Sequence, residues 1–171
     1  MKAFWIGFCF ALGLAAQPSD KAMQRIIKEV RTELVMMPYY GVFDNLSYKL
    51  DGYQVTLMGQ VNRPTLKPEA ENRVRKIEGV EKVINNIEVL PNSPNDDRIR
   101  LAVYRSLFGH PTLQQYTLRA VPPIHIIVKN GNVTLEGVVA RQMEKNIAFI
   151  QANQVPGVFN VKNNLVSESA K

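Results

Sequence analysis

The feature that most constrains this chain is an internal repeat. Residues 55–87 and 133–165 align without a gap at a constant offset of 78 positions, and they open on VTLMGQV and VTLEGVV. Thirteen of these 33 aligned positions are identical, including the two glycine pairs Gly59/Gly137 and Gly79/Gly157. Self-similarity of this kind indicates a duplicated structural unit. The sequence therefore predicts one small module that occurs twice.

Composition agrees with two soluble globular modules. The chain has 171 residues, of which 46% are apolar and 21% charged, as in ordinary globular proteins rather than disordered or integral membrane ones. A unit of about 70 to 75 residues can build one core of modest stability. Charge is uneven: residues 17–90 carry 11 Lys/Arg against 10 Asp/Glu, whereas residues 91–171 carry 9 against 5. The more basic second half favours an anionic partner.

The first sixteen residues, MKAFWIGFCFALGLAA, have the pattern of a secretory signal peptide. Lys2 precedes an apolar run that ends in small residues, so cleavage is expected after Ala15 or Ala16. An uncleaved anchor is the alternative. Phe8 stands where a lipoprotein signal needs a small residue before Cys9, which argues against lipidation. We therefore expect a periplasmic or otherwise exported protein without a cysteine.

Hydrophobic periodicity predicts the same five elements in each copy, in the order helix, strand, strand, helix, strand. The expected fold is α+β, with two tandem αββαβ modules, each a small three-stranded mixed sheet covered by two helices. The predicted boundaries are 20–90 for the first domain and 98–167 for the second, and the Pro/Asn/Asp-rich residues 91–97 form a linker. For the second helices, Leu66, Ala70 and Val74 predict the core face in the first copy, and Met143, Ile147 and Ile150 predict it in the second.

Glycines mark the turns and strand irregularities of both copies. Asp51-Gly52 and Asn130-Gly131 lie between alternating apolar residues and predict type I′ hairpins. Glycine within a strand usually marks a bulge or a close backbone approach, and glycine after a helix marks its end. Six glycines are therefore assigned structural roles: Gly52, Gly59, Gly79, Gly131, Gly137 and Gly157.

This order of elements, with a VTLxGxV strand and a closing GVxxVxNxL strand, resembles the BON domain, a module named for bacterial osmotically inducible periplasmic and nodulation proteins. The resemblance covers nearly the whole chain after the signal peptide. It implies an exported, non-enzymatic protein that binds phospholipid at a membrane surface and serves envelope maintenance or osmotic stress. The alternative is a protein-interaction adaptor in an envelope or secretion assembly.

A search for chemistry finds no catalytic constellation. His110 precedes Pro111 at a helix end and His125 lies in a predicted strand, so we interpret both as structural. With two histidines and no mature cysteine, one chain cannot assemble the usual zinc site. No nucleotide-binding or hydrolase motif is present. We therefore predict no enzyme activity, no metal and no cofactor, and the exported start argues against nucleic acid as a partner.

Basic residues are the best candidates for a binding role. Arg141 and Lys145 are four residues apart near a helix N-terminus, where backbone N–H groups favour an anion such as a phosphate, and Arg63 and Lys67 repeat the pair. The expected partner is an anionic phospholipid surface or an envelope protein. The full candidate set for lipid or anion contact is Arg63, Lys67, Arg98, Arg100, Arg105, Arg119, Lys129, Arg141 and Lys145.

Overall fold

The computed structural model describes residues 20–119 and 121–168, so the predicted signal peptide lies outside the described part. The first module consists of α1 (Asp20–Val35), β1 (Asn45–Asp51), β2 (Gln54–Val61), α2 (Leu66–Arg75), β3 (Lys82–Asn85) and β4 (Glu88–Val89). The second consists of α3 (Pro94–Gly109), α4 (Pro111–Gln114), a 3₁₀ turn (Gln115–Leu118), β5 (Ile124–Lys129), β6 (Asn132–Val139), α5 (Gln142–Asn153), β7 (Asn160–Asn163) and β8 (Val166–Ser167). The α+β fold of two tandem modules is confirmed.

Each module has one mixed sheet with its middle strand paired on both sides. In the first, β2 pairs antiparallel with β1 and parallel with β3 and β4. In the second, β6 pairs in the same way with β5, β7 and β8. The third strand returns parallel to the middle one because it follows a crossover helix. Each module buries its own apolar cluster between the helices and one face of the sheet.

An asparagine interrupts the third strand at the same point in both modules. The Asn85 side chain donates to the Lys67 carbonyl at 2.9 Å and accepts from the Ile87 N–H at 3.2 Å. Asn163 does the same with the Lys145 carbonyl at 2.8 Å and the Leu165 N–H at 3.2 Å. The repeated asparagine therefore ties the crossover helix to the strand that follows it.

The region before the second module differs in two respects from the sequence-based expectation. Helix α3 begins at Pro94, inside the stretch predicted as a linker, because Ser93 caps it by accepting the Asp96 N–H at 3.2 Å. The sequence reading also missed α4 and the 3₁₀ turn, whose Leu113 and Tyr116 are buried in the core of the second module.

The two hairpin turns are not the same. Asn130 and Gly131 both have positive φ, 52° and 76°, as the predicted type I′ turn requires. In the first module the prediction was wrong by one residue, since Asp51 pairs with Gln54 and the central residues are Gly52 and Tyr53. Only Gly52 has positive φ there, at 57°, which fits a type II′ turn with glycine first.

Close backbone contact explains the glycine within each middle strand. Gly59 and Gly137 have φ of 112° and 119°. A Cβ built on Gly59 would lie 2.0 Å from the Asn45 carbonyl oxygen, and one on Gly137 would lie 1.9 Å from the Pro123 carbonyl oxygen. A side chain at either position would therefore overlap a backbone carbonyl of the neighbouring segment.

The loop between α1 and β1, residues 36–44, joins the modules. The Ile126 N–H on the outer edge of β5 donates to the Val42 carbonyl at 2.7 Å. Val42 and Phe43 pack against the core cluster of the second module. Lys129 and Glu88 form an ion pair between the modules at 2.5 Å. The first module therefore covers part of the second rather than trailing from it.

Replacing Gly137 by alanine should strongly destabilise the second module. The new Cβ would overlap a backbone carbonyl and sit at a φ that L residues avoid, so we expect a loss of about 2 to 4 kcal/mol in unfolding free energy. Urea denaturation measures it. Gly109→Ala is the matched control, because a Cβ there meets nothing within 4 Å. An equal loss in both variants would contradict the steric explanation.

Candidate functional site

The two helices of the second module run antiparallel on its core. The Ser106 hydroxyl of α3 hydrogen-bonds the Gln151 carbonyl and side-chain oxygens of α5 at 2.9 and 3.0 Å. At the other end of α3, Ile99 lies next to Gly157, which follows α5. This pairing leaves the outer faces of α3 and α5 side by side on the surface.

An apolar stripe faces outward on α5, contrary to the predicted orientation. Met143, Ile147 and Ile150 do share one face, but Met143 is 54% and Ile150 49% exposed, and only Ile147 is half-buried. The positions that face the core are Glu144, Ala148 and Ala152. They align at the repeat offset with the buried Leu66, Ala70 and Val74 of α2. The alignment of the two copies therefore indicated the core face of α5 correctly, whereas hydrophobic periodicity did not.

Two arginines and a leucine on α3 complete this surface. Arg98, Leu101 and Arg105 are three and four residues apart, so they share one helix face, and Leu101 is 47% exposed. Arg98 donates to Asn95 at 3.0 Å. Within the described residues, neither arginine has a carboxylate partner. We define the binding face as Arg98, Leu101, Arg105, Met143, Ile147 and Ile150.

The corresponding surface of the first module is polar, and its two arginines are paired with carboxylates. At the repeat offsets of 73 and 78, the counterparts of the binding face are Arg25, Lys28, Thr32, Thr65, Glu69 and Asn72, and all of them line a groove of about 1060 Å³ between α1 and α2. Arg25 pairs with Glu78 at 3.2 Å. Arg73 pairs with Glu33 and Glu69 at 3.2 and 3.1 Å. The two modules therefore share a backbone but differ in the chemistry of this face.

The prediction that Arg100 contacts lipid or an anion is wrong, because this arginine is buried. Its side chain is 2% exposed, pairs with Asp97, and donates to the Val128 carbonyl at 2.8 Å. Its Nε has no partner in the described structure. Asp96, also buried, accepts the Asn130 and Gly131 N–H groups at 2.9 Å each. Arg100 and Asp96 thus attach α3 to the β5–β6 hairpin, and Arg100 cannot reach a head group.

The N-terminus of α5 is already occupied by a carboxylate of this chain. Glu144 accepts the Arg141 N–H at 3.0 Å, the Tyr116 hydroxyl at 2.7 Å and the Gln115 amide at 3.2 Å. Burial raises the pKa of Tyr116, which keeps the phenol protonated as a donor. Because Glu144 takes the place expected for a phosphate, Arg141 and Lys145 stay candidates through their side-chain charge alone.

The remaining basic candidates lie apart from one another. Arg63 lies over the Tyr39 ring at 4.7 Å, and Lys129 is engaged by Glu88. Arg119 is exposed after the 3₁₀ turn, and Lys67 is half-buried in the first turn of α2. Of the nine candidates, Arg98 and Arg105 are the two on the binding face. Lipid contact by the accessible residues stays a prediction.

Neither a metal cluster nor a membrane-crossing helix is found where the structure is described. No group of three or more His, Cys, Asp or Glu residues is arranged to hold a metal ion within residues 20–119 and 121–168. In the same ranges, no helix is long and apolar enough to cross a bilayer. The charged side chains that do meet in the described residues form helix caps and ion pairs. The binding face offers charge and apolar contact.

Fold and surface together define a protein of two tandem modules, of which the second exposes apolar and basic side chains on α3 and α5. The BON domain family model matches residues 23–91 and 95–168, and the chain belongs to this family. BON domains are known in envelope and periplasmic proteins, and the family is in general non-enzymatic.

Comparison with solved structures finds CdsD, a structural protein of the type III secretion system of Chlamydia trachomatis. Two structures of it each share 13% identity with this chain at a TM-score of 0.30; one covers 83% of this chain and 96% of its own, the other 85% and 95%. Comparison with curated protein sequences finds no match.

Replacing Arg100 by alanine should destabilise the protein, whereas replacing Arg105 should not. Loss of Arg100 removes a buried hydrogen bond and leaves the Val128 carbonyl without its donor, which costs about 2 kcal/mol. Arg105 is exposed and makes no hydrogen bond or ion pair within the described residues, so its removal changes stability by less than about 0.5 kcal/mol. Urea denaturation of both variants distinguishes a structural arginine from an available one.

Proposed function

We propose that the protein is an exported, non-enzymatic peripheral membrane protein that binds anionic phospholipid through the binding face of its second module. In this proposal the protein resides in the periplasm or envelope and serves envelope maintenance or the response to osmotic stress. The proposal rests on one observation: large apolar side chains, and arginines without carboxylate partners among the described residues, share the exposed surface of α3 and α5.

A membrane interface favours this combination of side chains. Apolar residues on one helix face enter the boundary between head groups and acyl chains, and basic residues beside them attract anionic lipid. Each arginine near such a surface contributes about 1 kcal/mol, and salt weakens that contribution. Leu101, Met143 and Ile150 would supply the apolar part, and Arg98 and Arg105 the charge.

The contrast between the modules supports a role for this face. Exposed Met143 and Ile150 correspond to Thr65 and Asn72 in the first module. A folding requirement common to both modules would not demand apolar residues at these positions, since the first module folds with polar ones. We therefore assign the membrane contact to the second module and a supporting role to the first.

Exchanging residues between the modules tests the apolar contribution. Met143→Thr with Ile150→Asn installs the side chains of the first module at exposed positions, so folding should be retained while binding to anionic liposomes falls about tenfold or more. Co-sedimentation with anionic and zwitterionic liposomes measures it. The matched control is Met36→Thr, an exposed methionine of the first module that is 71% accessible. Equal binding by the exchanged and unchanged proteins would contradict the assignment.

Charge reversal tests the electrostatic contribution separately. Arg98→Glu with Arg105→Glu should abolish binding to anionic liposomes at low salt, because each reversal replaces attraction by repulsion. Arg31→Glu, an exposed arginine of α1, is the control and should bind nearly as well as the unchanged protein. If the unchanged protein ignores both liposome types but retains a protein partner in stoichiometric amount, the adaptor function replaces the membrane function.

A further inference from the structure

The contact between the two modules contains a histidine that the membrane function does not use. His125 lies in β5, and its ring packs on the Tyr40 ring with centroids 5.8 Å apart. Its Nδ1 lies 3.3 Å from the Gly41 carbonyl oxygen. Because a carbonyl only accepts, Nδ1 carries the proton of the neutral ring. The next residue, Ile126, donates its N–H to Val42, so ring and backbone hold the same loop.

The loop is shaped by one buried carboxylate. Asp44 is 3% exposed and accepts the Gly41 N–H at 3.1 Å and the Asn62 N–H at 2.7 Å. These bonds fix the Gly41 and Val42 carbonyls in the direction of β5. The neighbouring Phe43 ring meets Tyr104 of α3 edge-on at 6.1 Å. Asp44 therefore fixes the conformation of the loop, and His125 of the second module contacts the loop at Gly41.

The charged groups around His125 come from three elements. Asp44 approaches it from the loop, Glu136 faces it as its cross-strand neighbour on β6, and Arg63 acts on Asp44 from the segment after β2. Tyr40, the ring partner, stays neutral because burial raises its pKa to about 12. Burial lowers the pKa of His125, and it outweighs the hydrogen bonds to the Gly41 and Asp44 backbone and the attraction of the Asp44 and Glu136 carboxylates. Because Tyr40 and Gly41 of the first module lie against the ring, docking contributes to the burial that disfavours a proton on His125.

We propose that the contact is an acid-released latch, in which protonation of His125 weakens the docking of the two modules and frees the outer edge of β5. Release breaks the Ile126–Val42 hydrogen bond and uncovers the β5 edge of the sheet. An uncovered sheet edge can pair with another strand. The latch would thus make the exposure of one edge depend on acidity.

The lowered pKa of His125 determines how the docking of the two modules depends on pH. Docking is at full strength above the ordinary histidine pKa near 6.5, where the ring is neutral in both states, and it weakens as pH falls from there to the lowered value. The docking constant falls by up to about tenfold per pH unit in that window. Burial raises the pKa of Asp44, so protonation of Asp44 at lower pH favours the folded loop and partly offsets the loss.

A distance measurement between the modules tests the latch. Cysteines at the exposed positions Lys76 and Asn146, in a chain beginning at residue 17 that holds no other cysteine, carry spin labels. We expect one docked distance at about pH 7.5 and a loss of that population at about pH 5, with the modules still folded by circular dichroism. His125→Gln should remove the change, and His110→Asn, the control at the other histidine, should keep it.

The titration of His125 followed by NMR makes the result decisive. The midpoint of release must coincide with protonation of the His125 ring, which the His110→Asn variant identifies because it leaves one histidine. An unchanged distance at acid pH overturns the latch, and so does release that persists in His125→Gln or that occurs away from the His125 midpoint. Unfolding of either module together with release also overturns it.

Discussion

The whole arrangement depends on two places where a carbonyl oxygen occupies the position that a side chain would need. A Cβ built on Gly59 or Gly137 would lie 2.0 or 1.9 Å from a carbonyl oxygen of the neighbouring segment, far inside van der Waals contact. Because glycine has no Cβ, the first hairpin strand can pair this closely with the middle one. The crossover helix and the third strand then attach to that middle strand through Asn85 or Asn163. Every surface feature described above is carried on this frame.

Much of the frame could be predicted from the sequence because its determinants are local. Glycine positions, Asn-Gly turns and the spacing of apolar residues on α1 and α2 each reflect a constraint that acts over a few residues. Because the sequence is duplicated, the same local determinants predict the same order of elements in both modules. The first hairpin turn was misplaced by one residue because Asp-Gly and Gly-Tyr both allow a two-residue turn, and pairing along the whole strand decides between them.

The candidate site could be predicted only in part because it depends on residues far apart in sequence. Periodicity assigned Met143 and Ile150 to the core, although small Ala148 and Ala152 let α5 approach the sheet on its other side. Burial of Glu144 became possible through Tyr116, which lies 28 residues earlier in a helical turn that the pattern did not reveal. Arg100 was likewise judged by its charge, whereas its environment depends on Val128. The contact between His125 and the α1–β1 loop spans 84 positions.

The buried Glu144 also bears on how a duplicated chain avoids pairing its halves wrongly. Tandem modules of like topology can exchange segments during folding, and here residues 64–85 align without a gap with residues 142–163 and pair in the same strand register. If α2–β3 occupied the second sheet, Leu66 would stand where Glu144 stands and the Tyr116 hydroxyl would lose its acceptor. If α5–β7 occupied the first sheet, a carboxylate would be buried without that donor, at a cost of several kcal/mol. A single polar pair thus discriminates native assembly from exchange.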